Sequence, residues 1–291
     1  MLTQKQIDQY HTFGCLILRN VLSAEDIDRL NAEFDAKLET TFRGEANGGK
    51  PIHCSWANSN SDSPFTSSLL EDPRIYEIPE ALFEDEVFGV SSTATSFIED
   101  TPWHPDSDHF QLHGIKVLIY LEPLNGDNGA LRVIPGSHFN PYHDELHAIG
   151  LLADFGNKPL PSSPYLIENS LEIKDVPAHI CSVTPGDVIV FNFRIWHAST
   201  GGKFDRRFIS NMFIKDPVSP EEREAVSELV ETTKKNRDRR ARDTFPNPGP
   251  EYHPDWLSNP DKNPKRQRNI DWIREQGYLE VFATSSTKTK N

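Results

Sequence analysis

A histidine and an aspartate two residues apart can hold one metal ion from a single short stretch of backbone, and His104-Pro105-Asp106 in TPWHPDSDHF has that form. Pro105 fixes its own φ and biases His104 toward extended geometry. In an extended chain, residues i and i+2 project to the same face, so the two side chains can converge. A third ligand is offered by His197, which ends the apolar run VIVFNFRIW after the turn residues Pro185-Gly186-Asp187. Two histidines and one carboxylate leave open octahedral positions on an Fe(II) ion, the arrangement of non-haem iron oxygenases that take a chelating cosubstrate and O₂. Nine residues past His197 stands the doublet Arg206-Arg207. An arginine fork there could hold the distal carboxylate of a 2-oxo diacid through paired hydrogen bonds.

Other stretches compete for attention and fall short of this pattern. His253-Pro254-Asp255 repeats the same tripeptide, but no histidine follows it, and it lies in a Pro-rich segment where Tyr252 and Trp256 read as packing residues or as part of a lid. The stretch His143–His147 (HDELH) places two imidazoles at i, i+4 but has Asp144 where a zinc peptidase carries its general-base glutamate, so it reads as a turn of surface helix. Gly44-x4-Gly49-Lys50 matches most of a P-loop. It is followed by Pro51 instead of the Ser or Thr that binds Mg²⁺, and no apolar strand precedes it.

The elements that must position the ligands follow from periodicity and punctuation. Thr3 with Gln6 forms a capping box, Gly14 ends the first helix, CLILRNVL reads as a buried strand, and Ser23 with Asp26 starts a second helix. Residues 42–66 are rich in Gly, Ser and Asn and read as a long loop. From about residue 90 to 215, short β-branched runs alternate with Gly, Pro, Asn and Asp, which predicts an antiparallel barrel or double sheet. Ser219, Pro220 and Glu222 start a helix with Val226, Leu229 and Val230 on one face, running into the basic stretch 234–242. Residues 244–265 read as irregular, and 269–283 as a last helix.

Composition sets the outer limits. The chain has 291 residues, enough for one large or two ordinary domains. Acidic residues outnumber basic ones 44 to 30, a formal charge of −14 that argues against nucleic acid or an anionic membrane as partner. Cys15, Cys54 and Cys181 are too few and scattered for a disulfide framework. The opening MLTQKQIDQY has no apolar core, and no 18 apolar residues run together, so a cytoplasmic protein is expected. The residues alone leave three readings open: an iron oxygenase, a zinc hydrolase or isomerase on the same ligands, and a non-catalytic barrel that binds a small molecule.

Several ordered stretches resemble the phytanoyl-CoA dioxygenase (PhyH-like) family of Fe(II)/2-oxoglutarate oxygenases. They are LTQKQIDQYHTFGCLILRNVLSAEDIDRL, WHPD, DNGALRVIPGSH, PGDVIVFNFRIWHASTGG and RRFIS, which together span most of residues 1–215. The resemblance implies a mainly β fold with flanking helices around a double-stranded β-helix (jelly-roll, cupin-like) core over 1–215, with 216–291 as a helical and Pro-rich extension packed on it. It implies Fe(II), 2-oxoglutarate and O₂ as cofactor and cosubstrates, and His104, Asp106 and His197 as the iron ligands. Arg206 would bind the C5 carboxylate of 2-oxoglutarate, with Arg207 the alternative because the doublet leaves the register open by one, and Ser199 would add a hydroxyl contact. Leu118 falls near where some members place a Trp against 2-oxoglutarate, so Lys116 or Tyr120 on the same strand face could contribute instead. Asn128-Gly129 and Pro135–His138 read as turn and scaffold. No catalytic group beyond the metal ligands is implied. The activity implied is hydroxylation of an unactivated C–H bond of a small molecule with release of succinate and CO₂; desaturation, epoxidation or ring formation would use the same residues. Halogenating relatives replace the carboxylate ligand by a small residue, so Asp106 argues against that outcome. The substrate is left open, Arg132, Lys116 and Arg194 being the basic residues that would suit an anionic one, and so is homo-oligomerisation through the C-terminal extension.

Overall fold

The computed structural model describes residues 2–41, 53–98, 100–149, 151, 172–202, 206–243 and 250–283. The chain opens with α1 (Gln4–Phe13), β1 (Cys15–Leu18) and α2 (Ala24–Thr41), then β2 (His53–Ala57), α3 (Pro64–Ser68), α4 (Pro73–Phe83), β3 (Val87–Phe97), β4 (Thr101–His104), β5 (Gly114–Tyr120) and β6 (Leu131–Val133). There follow α5 (Tyr142–Ala148), β7 (His179–Cys181), β8 (Val188–Asn192), β9 (His197–Ser199), β10 (Arg206–Lys215), α6 (Pro220–Asp243), α7 (Pro254–Leu257), α8 (Pro264–Glu275) and α9 (Tyr278–Ala283).

The described strands form two sheets, a six-stranded one in the order β1-β8-β5-β10-β3-β2 and a four-stranded one in the order β4-β9-β6-β7. The strand pairs are antiparallel. This is the open two-sheet form of the jelly roll, not a closed barrel. Alternation along the strands sorts the core into layers. From β5 and β8, Ile115, Val117, Ile119, Val188 and Val190 face the helices in one large cluster. Their neighbours Leu118, Tyr120, Ile189 and Phe191 face inward and meet Leu131 and Val133 of the small sheet. On the outer side of the small sheet, Trp103, Trp196 and Ala198 pack with Leu146 of α5.

The predicted caps form. The Thr3–Gln6 box starts α1, and Gly14 ends it in the left-handed conformation at φ 78°. At the start of α2 the Ser23 and Asp26 side chains each accept from the other's backbone N–H, as those of Ser219 and Glu222 do at α6. Val226, Leu229 and Val230 of α6 join the large cluster, together with Tyr252, Trp256, Ile270, Trp272 and Tyr278, so the C-terminal segment packs on the outer face of the large sheet.

Two expectations fail for local reasons. The loop expected over 42–66 contains β2, which pairs along β3 and buries Cys54 and Trp56; residues 42–52, including the P-loop-like glycines, lie outside the described residues. The single helix expected over 269–283 starts earlier, at the Asn263 cap with Pro264 behind it, and breaks at Gly277, whose φ is 78°. Among the described residues no helix is long and apolar enough to cross a membrane.

His138 gives the fold a pH dependence. Burial pulls its imidazole down to about 4, and the nearby Arg194 adds to the effect. A folded value below the unfolded one of about 6.5 means that the unfolded chain binds more protons between the two, so stability is full above about 6.5 and is lost as pH falls toward about 4. The denaturant midpoint should therefore fall more steeply between about pH 7 and about pH 5 in the wild type than in His138→Asn. Equal falls would remove His138 from the account.

Candidate metal and carboxylate site

The three sequence-predicted ligands meet at one place. Strands β4 and β9 pair antiparallel with His104 directly opposite His197, so their rings lie 4.2 Å apart between centroids. Asp106 follows β4 in a loop pinned to the large sheet, its backbone N–H donating to the Phe193 carbonyl at 2.8 Å and that of Ser107 to the same oxygen at 3.1 Å. One ligand atom from each of His104, Asp106 and His197 lies within 4.8 Å of the others.

The imidazoles are set for a cation. Nδ1 of His104 lies 2.8 Å from the Pro102 carbonyl oxygen and Nδ1 of His197 lies 3.0 Å from that of Ile195. A carbonyl only accepts, so each ring carries its proton on Nδ1 and turns the Nε2 lone pair inward. Burial, with His104 beside it, lowers His197 to about 3, so its ring is neutral near neutral pH. Burial alone would raise the Asp106 carboxyl, but Lys116, His197 and His104 outweigh it and hold it below the usual carboxylate value. Lys116 Nζ donates to Asp106 Oδ1 at 2.6 Å. The other oxygen, Oδ2, is buried with no hydrogen-bond partner. An unsatisfied buried acceptor costs on the order of 1–3 kcal/mol. A divalent ion held by Asp106 and the two histidines would remove that cost, so the donor set fits a first-row metal such as iron.

The arginine doublet separates across the sheet. Arg206 turns inward from β10 and is buried, its Nη1 donating to Ser199 Oγ at 2.5 Å and to the Gly129 carbonyl at 2.8 Å. Phe97 lies 5.2 Å from its guanidinium carbon. Arg207 points outward, its Nε 2.5 Å from Glu122 and its Nη1 2.6 Å from Asp35. Inner strand neighbours Leu118 and Tyr120 lie in the apolar cluster between the sheets, with Lys116 on the same side. Ser137 of the predicted scaffold accepts from the Trp196 backbone N–H at 2.8 Å, fixing the residue before His197.

Sequence reasoning took Gly129 for a turn residue only. Its φ is 98°, and a Cβ there would stand 2.6 Å from Arg206 Cδ, so the glycine also makes room for the guanidinium. Asp100 escaped notice. It accepts from Thr200 Oγ1 at 2.9 Å and from the Gly201 N–H at 2.8 Å, holding the loop after β9; an acidic residue facing a Gly-containing loop across the small sheet gives no periodic signal. Arg194 is no pocket residue, since it is buried on the carbonyls of His138 and Asp108 and on Asn140. His253 caps α7 and lies beside Asp255, while Tyr252 donates to the Val90 carbonyl at 2.5 Å and Trp256 is buried beside it, so the second HPD packs and does not gather a third ligand. Histidines 109 and 113 pair with Glu228 and Glu222 of α6.

No curated protein matches the sequence. Among solved structures, AviO1 from Streptomyces viridochromogenes Tue57 is 20% identical and superposes with a TM-score of 0.56 over 76% of this chain and 99% of its own. HygX from Streptomyces hygroscopicus, solved with nickel and 2-oxoglutarate bound, is 17% identical with a TM-score of 0.57 over 74% of this chain and 88% of its own. The epimerase SnoN from nogalamycin biosynthesis, in complex with Fe3+, alpha ketoglutarate and nogalamycin RO, is 17% identical with a TM-score of 0.52 over 73% and 83%. At these identities the likeness is one of fold. The sequence itself goes further: the family model described as phytanoyl-CoA dioxygenase (PhyH) matches residues 10–208, which span β4, β9 and the start of β10, and the chain belongs to that family.

Proposed function

We propose that this protein is an Fe(II)- and 2-oxoglutarate-dependent oxygenase that hydroxylates a C–H bond of a small molecule. The observation that carries this reading is the buried guanidinium of Arg206, with Ser199 on it, facing the same inter-sheet interior as the His104–Asp106–His197 cluster. A zinc hydrolase has no need of a diacid anchor, and a mere binding barrel has no need of a carboxylate oxygen left open beside two aligned imidazoles. Membership of the family and the metal and 2-oxoglutarate bound in HygX and SnoN support it.

When bound, iron and 2-oxoglutarate supply oxidising power from O₂ with release of succinate and CO₂. The chain's own residues set the conditions. His104 and His197, each held by a backbone carbonyl, would give fixed imidazole donors; Asp106, steadied by Lys116, would give the anionic one. Arg206 and Ser199 orient the cosubstrate by its far carboxylate, and the apolar wall of Leu118, Ile189 and Phe191 keeps water from the reacting face. Hydroxylation rather than another outcome is the default for an intact carboxylate ligand; the epimerase and carbocyclase among the structural relatives make epimerisation and ring closure the readings to test against it.

Anaerobic addition of Fe(II) and 2-oxoglutarate to the purified protein is expected to produce a weak visible absorption band, and admission of air to yield succinate. Absence of both would end the oxygenase reading. Comparing metabolite extracts with and without the protein then reads the outcome: a mass gain of one oxygen supports hydroxylation, an unchanged mass or a loss of two hydrogens overturns it.

Gly129→Ala should raise the 2-oxoglutarate KM, because the new methyl displaces Arg206. Gly136 has φ 79° but no atom nearer than 3.9 Å to a built Cβ. Gly136→Ala therefore carries the same left-handed strain of about 1–2 kcal/mol without the clash. It should lower stability and leave the KM alone, and equal effects of the two would show that strain alone matters.

A further inference from the structure

A second set of ligand-type side chains lies two residues beyond Asp106. Asp108 Oδ1 stands 3.1 Å from Nε2 of His143 and 2.7 Å from Nε2 of His147, and the three ligand atoms lie within 4.8 Å of one another. The histidines are one turn apart on α5, the HDELH stretch, so a single helix face presents both. Their rings flank Trp196, at centroid distances of 5.9 and 4.6 Å, next to His197 in the chain.

The proton positions make this more than a surface contact. Nδ1 of His143 lies 3.0 Å from the Ser137 carbonyl oxygen, so that nitrogen carries the N–H. In a neutral ring Nε2 is then a lone pair aimed at a carboxylate oxygen, two acceptors in van der Waals contact. A cation between them would satisfy both acceptors, at a histidine side chain only 1% exposed. The arrangement repeats the catalytic ligands, where the Pro102 and Ile195 carbonyls hold the protons of His104 and His197 away from the centre. Arg194 does not compete for the Asp108 carboxylate; it spends its donors on the Asp108 and His138 carbonyls and on Asn140, fixing both segments that carry the cluster.

We infer that Asp108, His143 and His147 form a second metal site, for a divalent first-row ion of the zinc type. Two imidazoles and one carboxylate suit such an ion, and water completes a tetrahedron on the side where Asp108 is 59% exposed. The site ties the loop that carries Asp106 to α5, whose Leu146 seals the outer face of the small sheet, and so braces the iron-binding segment. It is independent of the oxygenase reading.

The test is metal content of the full chain, stripped and then dialysed against Zn(II), with the thermal midpoint as a second readout. Wild type is expected to hold two equivalents. His147→Ala and Asp108→Asn, both at partly exposed positions, should each hold one, as should Asp106→Ala, and the Asp106→Ala/His147→Ala pair none. Zn(II) should raise the melting midpoint of Asp106→Ala and lose that effect when His147→Ala is added. One equivalent in wild type, lost in Asp106→Ala and kept in His147→Ala, would reduce the cluster to a protonated ion pair and overturn the proposal. Two equivalents that survive in Asp106→Ala would instead strike at the catalytic ligand assignment.

Discussion

Asp106→Ala is expected to bring succinate formation to the background of the uncatalysed solution and to weaken the fold at the same time. The first effect follows from the ligand set. Removing the one anionic donor leaves the two imidazoles, and Lys116, whose Nζ stands 2.6 Å from the lost carboxylate, then presents an unpaired positive charge where the metal would sit. The second follows from the same pair. Both side chains are mostly buried, at 17% and 15% exposure, and breaking a buried pair from one side costs on the order of 3 kcal/mol because the remaining charge has no partner. A loss of activity in this variant is therefore ambiguous on its own. The double variant Asp106→Ala/Lys116→Met removes both charges and should recover most of the lost melting temperature while staying inactive. Recovery of turnover in the double variant would mean that Asp106 serves only to neutralise Lys116, and that the metal is held without it.

The elements that position this site were legible in sequence to the extent that their causes are local. The Thr3–Gln6 box, the left-handed Gly14 and the strand after it depend on residues within a few positions of one another, and they form as expected. The same is true of the convergence of the His104 and Asp106 side chains, two residues apart across Pro105. Features decided by distant partners were not legible. Edge strand β2 owes its conformation to pairing with β3, not to its Gly- and Asn-rich surroundings. The HDELH helix looked like surface because its third partner, Asp108, lies 35 residues away in the chain. The inward sense of the arginine doublet depends on the register of β10 against β3 and β5, where Arg206 pairs with Phe97 and Phe208 with Tyr120; no count along the chain supplies that register.

Because that register turns Arg206 inward and Arg207 outward, the two neighbours should respond to the same substitution in opposite ways. Arg206→Gln keeps a polar side chain but removes the charge that would meet the far carboxylate of 2-oxoglutarate. Truncating one partner of a buried, charge-assisted pair costs on the order of 2–5 kcal/mol, which corresponds to a 2-oxoglutarate KM raised by roughly 30- to 4000-fold at about 1.4 kcal/mol per decade. Arg207 is only 22% exposed, but its partners Glu122 and Asp35 are 27% and 63% exposed, so screening by water reduces the worth of those pairs. Arg207→Gln should cost about 1 kcal/mol of stability or less and leave the KM within error. Ser199→Ala tests the orientation rather than the charge. The Ser199 hydroxyl takes the Arg206 Nη1 hydrogen bond, so its removal should raise the KM by roughly 10- to 150-fold, the worth of one hydrogen bond to a charged group. If Arg207→Gln, and not Arg206→Gln, raised the KM, the cosubstrate would have to bind at the outer face of the large sheet, where α2 contributes Asp35.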